Sequence, residues 1–169
     1  MKRILIMGCP GAGKAKLAAR LGRITGLDVY HIKDDRFSES HDEDRKAAWQ
    51  EAVRKITERE SWIIEGTQSI TYGMRVEAAD TVFFIRQKPF NCLKNFLKRS
   101  FKRSSDYSSH AGLTMDMIKK ILAYRKTLKP MVDDLLEQNK HHLDVIFFTT
   151  EEEIDEYLEK LRLEHIQAK

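Results

Sequence analysis

Residues 8–16 read Gly8-Cys9-Pro10-Gly11-Ala12-Gly13-Lys14-Ala15-Lys16, directly after the apolar run Ile4-Leu5-Ile6-Met7. This is the G-x-x-x-x-G-K spacing of a phosphate-binding loop. Glycines without side chains let backbone N–H groups curl around phosphate oxygens, and Lys14 brings an ammonium to the terminal phosphates. The helix expected to follow adds the positive end of its dipole to the same anion site. A nucleotide is therefore the expected ligand of Gly8, Pro10, Gly11, Ala12, Gly13, Lys14, Ala15 and Lys16. The position after the lysine normally carries a Ser or Thr whose hydroxyl ligates the magnesium of the nucleotide. Here it is Ala15, which offers no oxygen. The plain alternative is a glycine-rich turn between a strand and a helix that binds nothing.

Three other polar clusters have types and positions suited to chemistry. Asp34 and Asp35 follow the apolar segment Leu27 to Ile32, with Lys33 between, and Asp34 lies nearer its end. A carboxylate there serves as a general base only if it reaches the proton of a bound hydroxyl; otherwise it is a solvated acidic turn. Glu65-Gly66 follows Trp62-Ile63-Ile64, as a site acid or as a turn acid beside glycine. Between Arg86 and Arg103 stand seven basic residues and no acidic one, with Lys94, Lys98 and Lys102 four residues apart. Like charges stacked on one helix face repel by a few tenths of a kcal/mol per pair. A bound anion would relieve that repulsion, whereas a solvated basic face would simply tolerate it.

These clusters need a scaffold, and the apolar periodicity supplies one. Strands are expected at Ile4–Met7, Leu27–Ile32, Trp62–Ile64, Thr81–Ile85 and Asp144–Phe148. Helices are expected over 14–25, 42–59, 74–79, from Pro89 to about Arg103, from a Thr114 cap to about Leu128, and from Pro130 to about Gln138. In the fourth of these Leu93, Phe96, Leu97 and Phe101 face inward, and Gly26 stops the first as a C-cap would. Thr150 and Glu153 form a capping box for a last helix carrying Ile154, Tyr157, Leu158 and Leu161. Strands alternating with helices predict a five-stranded parallel sheet covered on both faces, with ligands at the carboxyl ends of the strands. That rule gathers the loop at 8–15, Asp34-Asp35, Glu65-Gly66 and Arg86-Gln87-Lys88 into one expected site.

Composition narrows the partners. A length of 169 residues suits one domain over residues 1–169, with 41% hydrophobic and 33% charged residues as in a globular protein. No run approaches the ~20 apolar residues of a membrane span. The apolar run behind Met1-Lys2-Arg3 stops at Gly8, too short for a secretory core, and Cys9 and Cys92 form no metal spacing, so a reducing cytoplasm is expected. A net charge of +4 is weak for nucleic-acid binding, and no helix-turn-helix or zinc motif accompanies the basic run. A basic stripe still binds nucleic acid without a motif, so nucleic acid stays a less favoured partner than a small molecule.

With these motifs in view, the chain resembles small P-loop kinases of the adenylate-kinase-like group over nearly its whole length. Within that group it is similar to the kinase-like bacterial DNA topology modulation proteins. The segments Val29-Tyr30-His31-Ile32, Trp62-Ile63-Ile64-Glu65-Gly66 and Ala79-Asp80-Thr81-Val82-Phe83-Phe84 carry the likeness. The departures are Lys14-Ala15-Lys16, where that family has G-K-S-T or similar, and the displaced acid at Asp34 or Asp35. The resemblance implies a P-loop NTPase fold that binds ATP with magnesium and passes the γ-phosphoryl to a small acceptor such as a nucleoside or nucleotide. It implies that Asp34 or Asp35 positions or deprotonates the acceptor hydroxyl and that Glu65 supports magnesium through water. It implies a helical lid at about 99–113, from which Arg99 and Arg103 close on the phosphoryl groups with bidentate guanidinium forks. Arg75 reads first as structure, although it stands where similar enzymes set an arginine on the acceptor. His31 reads as a partly buried histidine without a partner, and Trp49 and Trp62 as core. Ala15 keeps open a nucleotide-binding regulator with impaired turnover, and the basic run keeps open a nucleic-acid-associated protein.

Overall fold

A computed structural model describes residues 1–32, 43–103 and 115–167 of the chain. Five strands, β1 (Arg3–Gly8), β2 (Val29–His31), β3 (Trp62–Glu65), β4 (Thr81–Ile85) and β5 (Asp144–Phe148), form one sheet in the order β2-β3-β1-β4-β5. Every pairing is parallel. β1 lies at the centre, paired with β3 on one side and β4 on the other. Its carboxyl end therefore opens where the chain order changes sides, the position at which open parallel sheets take ligands.

Seven helices among the described residues complete the structure: α1 (Lys14–Thr25), α2 (Glu43–Thr57), α3 (Tyr72–Ala78), α4 (Pro89–Arg103), α5 (Met115–Ala123), α6 (Leu128–Gln138) and α7 (Glu151–Gln167). Alternation along the central strands divides the core into two layers. Ile4, Ile6, Phe83 and Ile85 pack with Leu17 and Leu21 of α1 and Leu158 of α7. Leu5, Met7, Val82 and Phe84 pack with Val53 of α2, Val76 of α3 and Val132 of α6. Both layers are buried, which explains why the central strands read as unbroken apolar runs rather than as an alternation. Trp62 is fully buried, while Trp49 is half-buried against the second layer. No helix among the described residues is long and apolar enough to cross a membrane.

Three boundaries differ from the sequence expectation. β2 holds only Val29–His31, the residues that find register partners in Ile63, Ile64 and Glu65 of β3. α5 stops at Ala123 rather than near Leu128, since Lys126 N and Thr127 N both donate to Ala123 O, at 2.9 and 3.0 Å, and close a turn. α6 begins at Leu128, which makes Pro130 its third residue instead of its first. Proline is accommodated there because N–H groups of the first turn have no intrahelical acceptor. The Thr114 cap expected for α5 lies outside the described residues.

Candidate functional site

The phosphate loop joins β1 to α1, and its backbone is held from several sides. Ala12 N donates to Cys9 O at 3.1 Å, and Leu17 N donates to Gly13 O at 3.1 Å. Lys14 is buried, with Nζ 3.0 Å from both Gly8 O and Cys9 O, so its ammonium sits inside the curve of the loop. Gly11 has φ +85°, and a Cβ there would press into the carbonyl oxygen of Cys92 and come within 3.0 Å of its carbon. Only glycine combines this left-handed backbone with so close an approach to α4. Cys9 and Cys92 are both buried thiols; the hydrogen bond between them and burial together push the Cys9 thiol far above its usual range, so it stays protonated. Cys9 Sγ also lies 3.8 Å from Ile121 O on α5.

Two clefts flank this loop. The first, of about 230 Å³, is walled by Gly13, Ala15 and Lys16, by Gln87 and Asn95 after β4, and by Glu151 at the start of α7. Asn95 Nδ2 reaches Gly11 O and Gln87 Oε1, each at 3.4 Å. Lys16 forms an ion pair with Glu151, and Arg20 one with Asp155, so α1 is bridged to α7 along the wall of this cleft. The second cleft, of about 440 Å³, lies on the Pro10 side and is walled by Gln68 and Ser69 after β3, by Lys119 and Lys120 of α5, and by Thr127. Pro10 borders one cleft and Gly11 the other, so the phosphate loop is the partition between them.

At the end of β3, Glu65 is buried and its Oε1 lies 2.7 Å from His31 Nδ1. The two residues are register partners in the parallel pairing of β2 and β3. Glu65 shares the sheet face of Ile63, the face covered by α1. His31 thus has a partner and is about 42% exposed, which corrects the expectation of a partly buried, unpartnered ring. Arg75 is structural, the reading its sequence favoured. It is completely buried and donates to Thr71 O and Gly66 O, at 3.2 Å each, and to Gln68 O. Its guanidinium stacks 4.7 Å from the Tyr72 ring, and burial pulls it down to about 10, still charged at neutral pH. Arg75 therefore ties the chain after β3 into the core instead of standing in a cleft.

Solved structures of small-molecule kinases share this architecture. A shikimate kinase from Acinetobacter baumannii in complex with shikimate aligns over 100% of this chain and 95% of its own, with a TM-score of 0.61 and 15% identity. A gluconokinase from Sinorhizobium meliloti 1021 aligns over 99% and 93%, with a TM-score of 0.55 and 11% identity. A deoxyadenosine kinase from M. mycoides aligns over 98% and 99%, with a TM-score of 0.53 and 15% identity. The chain has the P-loop kinase fold. No family model and no curated protein matches it.

Within this P-loop kinase fold, the loop residues Gly8 to Lys16 and Glu65 converge at the carboxyl ends of the central strands. Asp34 and Asp35 lie outside the described residues, as does most of the expected lid at 99–113. Arg99 and Arg103 belong to the backbone of α4, and their side chains, like that of Phe101, are outside what is described. Arg86, from the basic run, is engaged otherwise: its guanidinium lies 3.5 Å from the Phe147 ring centroid. No group of three His, Cys, Asp or Glu able to hold a metal occurs among the described residues. A magnesium ion needs less than that, since one or two carboxylates plus substrate phosphates and waters suffice, and Glu65 oriented by His31 fits such a hold. Sequence reasoning missed the His31–Glu65 contact and the lysines of the second cleft. The spacing between positions 31 and 65 carries no periodic signal, and Lys119-Lys120 looks like any solvated helix surface.

Proposed function

We propose that the chain binds ATP with magnesium and transfers the γ-phosphoryl group to a small hydroxyl or phosphate acceptor, of the nucleoside or nucleotide kind. The carrying observation is the pair of clefts divided by the phosphate loop, with Lys14 Nζ held in its curve. A phosphoryl donor on the Gly13 side and an acceptor on the Pro10 side would meet across that partition, as in-line transfer requires. The acceptor oxygen bonds to the γ-phosphorus while the bond from that phosphorus to the β,γ-bridging oxygen breaks, leaving ADP. The acceptor proton passes to Asp34 or Asp35. Lys14 and the loop amides stabilise negative charge on the β- and γ-phosphates, and Arg99 and Arg103 do so from the lid. Magnesium, when bound, neutralises the phosphate oxygens, and Glu65 is the residue that would hold its water. The motif likeness to the kinase-like DNA topology modulation proteins supports a cytoplasmic enzyme of this kind.

Ala15 favours a second reading, a nucleotide binder that turns over poorly because the metal lacks a hydroxyl ligand. Calorimetric titration of ATP into the protein and into Lys14→Ala, with magnesium and with EDTA, tests both. Loss of charge-assisted bonds worth about 1.5–3 kcal/mol should weaken ATP binding roughly 10- to 100-fold in the variant. Unchanged ATP affinity would refute the phosphate site. Binding equally tight in EDTA, without phosphoryl transfer, would favour the second reading.

A further inference from the structure

We propose that Cys9 and Cys92 form a modification site: a hydroperoxide converts the two thiols into a disulfide, and that bond closes the phosphate loop to nucleotide. The second half rests on the reading of the loop as the ATP site; the first half does not. The chain has 2 cysteines, and the fold brings them together, Cys9 in the loop after β1 and Cys92 in the first turn of α4. Both belong to one buried cluster, and their thiols share a hydrogen bond. The two segments also touch through backbone, since a Cβ on Gly11 would lie 3.4 Å from Cys92 Cα. Sulfurs already in contact need only close on one another to bond, at about 2 Å.

The surroundings divide the roles between the two sulfurs. The hydrogen bond from Cys9, helped by the Lys14 ammonium, holds the Cys92 thiol below the ordinary cysteine range against the opposing effect of burial. Cys92 is the nucleophile, because the thiolate is the reactive form, and Cys9, kept protonated, resolves. The Cys92 sulfur attacks one peroxide oxygen; an S–O bond forms, the O–O bond breaks, and the Cys92 proton leaves on the departing alcohol or water. The Cys9 sulfur then attacks the Cys92 sulfur; the S–S bond forms, the S–O bond breaks, and hydroxide leaves as water with the Cys9 proton. Two electrons pass from the sulfurs to the peroxide. With Cys9 and Cys92 only 1% and 0% exposed, a bulky disulfide oxidant is kept out. Gly11, Ala12 and Asn95 line the first cleft in front of the pair, so a small peroxide has one wall to cross. Gly11 is already against the Cys92 backbone, which leaves the loop no slack toward α4. Drawing Cys9 onto Cys92 therefore moves Cys9 O, which with Gly8 O holds Lys14 Nζ at 3.0 Å, and re-aims the loop amides. A displacement of about 1 Å in such a constellation can cost about 100-fold.

The test treats the full chain with hydrogen peroxide and reads its tryptic peptides by mass spectrometry. The expected product is a linked pair of peptides carrying Cys9 and Cys92, formed within one molecule and separated again by dithiothreitol. Calorimetry should then show ATP binding at least tenfold weaker in the oxidised protein and restored by dithiothreitol, which leaves any methionine sulfoxide in place. Cys92→Ser keeps the side-chain volume and should bind ATP as the reduced protein does, before and after peroxide. Cys92→Ala makes the same comparison without a buried hydroxyl, should the serine protein fail to fold. Thiols that persist, that reach sulfinic acid unlinked, or that link separate molecules overturn the modification site. A disulfide that leaves ATP affinity unchanged overturns the closure, as does a Cys92 variant that loses ATP binding on oxidation just as the parent does. Reduced protein that binds no ATP would refute the phosphate-site reading and the closure with it, while the linked peptides would still decide the disulfide.

Discussion

Replacing Arg75 with Met keeps much of the side-chain volume and removes every donor, which makes it a direct measure of what this buried cation does. Arg75 is completely buried and donates to the carbonyl oxygens of Gly66, Gln68 and Thr71. Hydrogen bonds to charged groups contribute about 1.5–3 kcal/mol each, so three represent roughly 4–9 kcal/mol in gross terms. Against that stands the cost of burying an ion, several kcal/mol, which the substitution relieves. The carbonyls left behind lose their partner in a place where backbone groups are normally paired. The net loss should be about 3 kcal/mol. For a chain of 169 residues, at about 2–4 °C per kcal/mol, the melting temperature should fall by roughly 6–12 °C. Urea unfolding followed by the fluorescence of the fully buried Trp62 gives the free energy directly. Arg75→Lys, with one cation and fewer directed donors, should fall between the two. A loss below about 1 kcal/mol would refute the assignment of Arg75 as a tie for the segment after β3. Full stability combined with abolished acceptor binding would go further and return Arg75 to the acceptor.

Two more substitutions probe the loop. Ala15→Ser should strengthen magnesium-dependent ATP binding by about 1 kcal/mol, the net worth of a hydrogen bond, because water can already stand in for the missing hydroxyl; titration at several magnesium concentrations that shows no gain would mean that Glu65 and water already complete the hold. Gly11→Ala should destabilise by more than about 2 kcal/mol and remove ATP binding, since its Cβ meets backbone of Cys92 at φ +85°, whereas Gly73→Ala on α3 meets nothing within 4 Å and should be neutral or slightly stabilising; similar thermal melts for the two variants would contradict the loop packing described here.

How far the chain could be read without coordinates depended on the range of each signal. β1, the loop, α1, β4, α4 and β5 are specified locally, by runs of consecutive apolar residues, a glycine spacing and a helical stripe. Those expectations and the observed elements agree to within a residue or two. The capping box is equally local: Glu153 N lies 3.2 Å from Thr150 Oγ1, and Thr149 joins it with its hydroxyl 2.8 Å from Glu153 Oε1. Errors arose where a neighbour in space decides. The end of α5 is set by a turn onto Ala123 O, and the length of β2 by the register partners that β3 offers it. For the site, type and spacing pointed to Lys14 and Glu65, but could not show that Glu65 is held by His31 or that Lys16 is committed to Glu151. Arg75 shows the limit most clearly, because a buried arginine and a ligand-binding one have the same local sequence. Only its three carbonyl partners distinguish them.

The loop also touches both helices that wall the two clefts. Gly11 approaches the backbone of Cys92 so closely that the start of α4 cannot move toward the loop without displacing it. On the other side Cys9 Sγ contacts Ile121 O, in the helix that carries Lys119 and Lys120, and Ile121 itself is completely buried in the layer beneath. The residues between β1 and α1 thus bear on α4 and on α5 through two neighbouring contacts, one of backbone and one of sulfur. Small, buried and protonated, Cys9 suits this position because it fills the space without bringing charge beside Lys14. A larger side chain at position 9 would push α5 away from the loop and widen the second cleft, and an ionised one would compete with phosphate for the ammonium. The packing of the loop on α4 and on α5 therefore rests on the same five residues between Gly8 and Lys14.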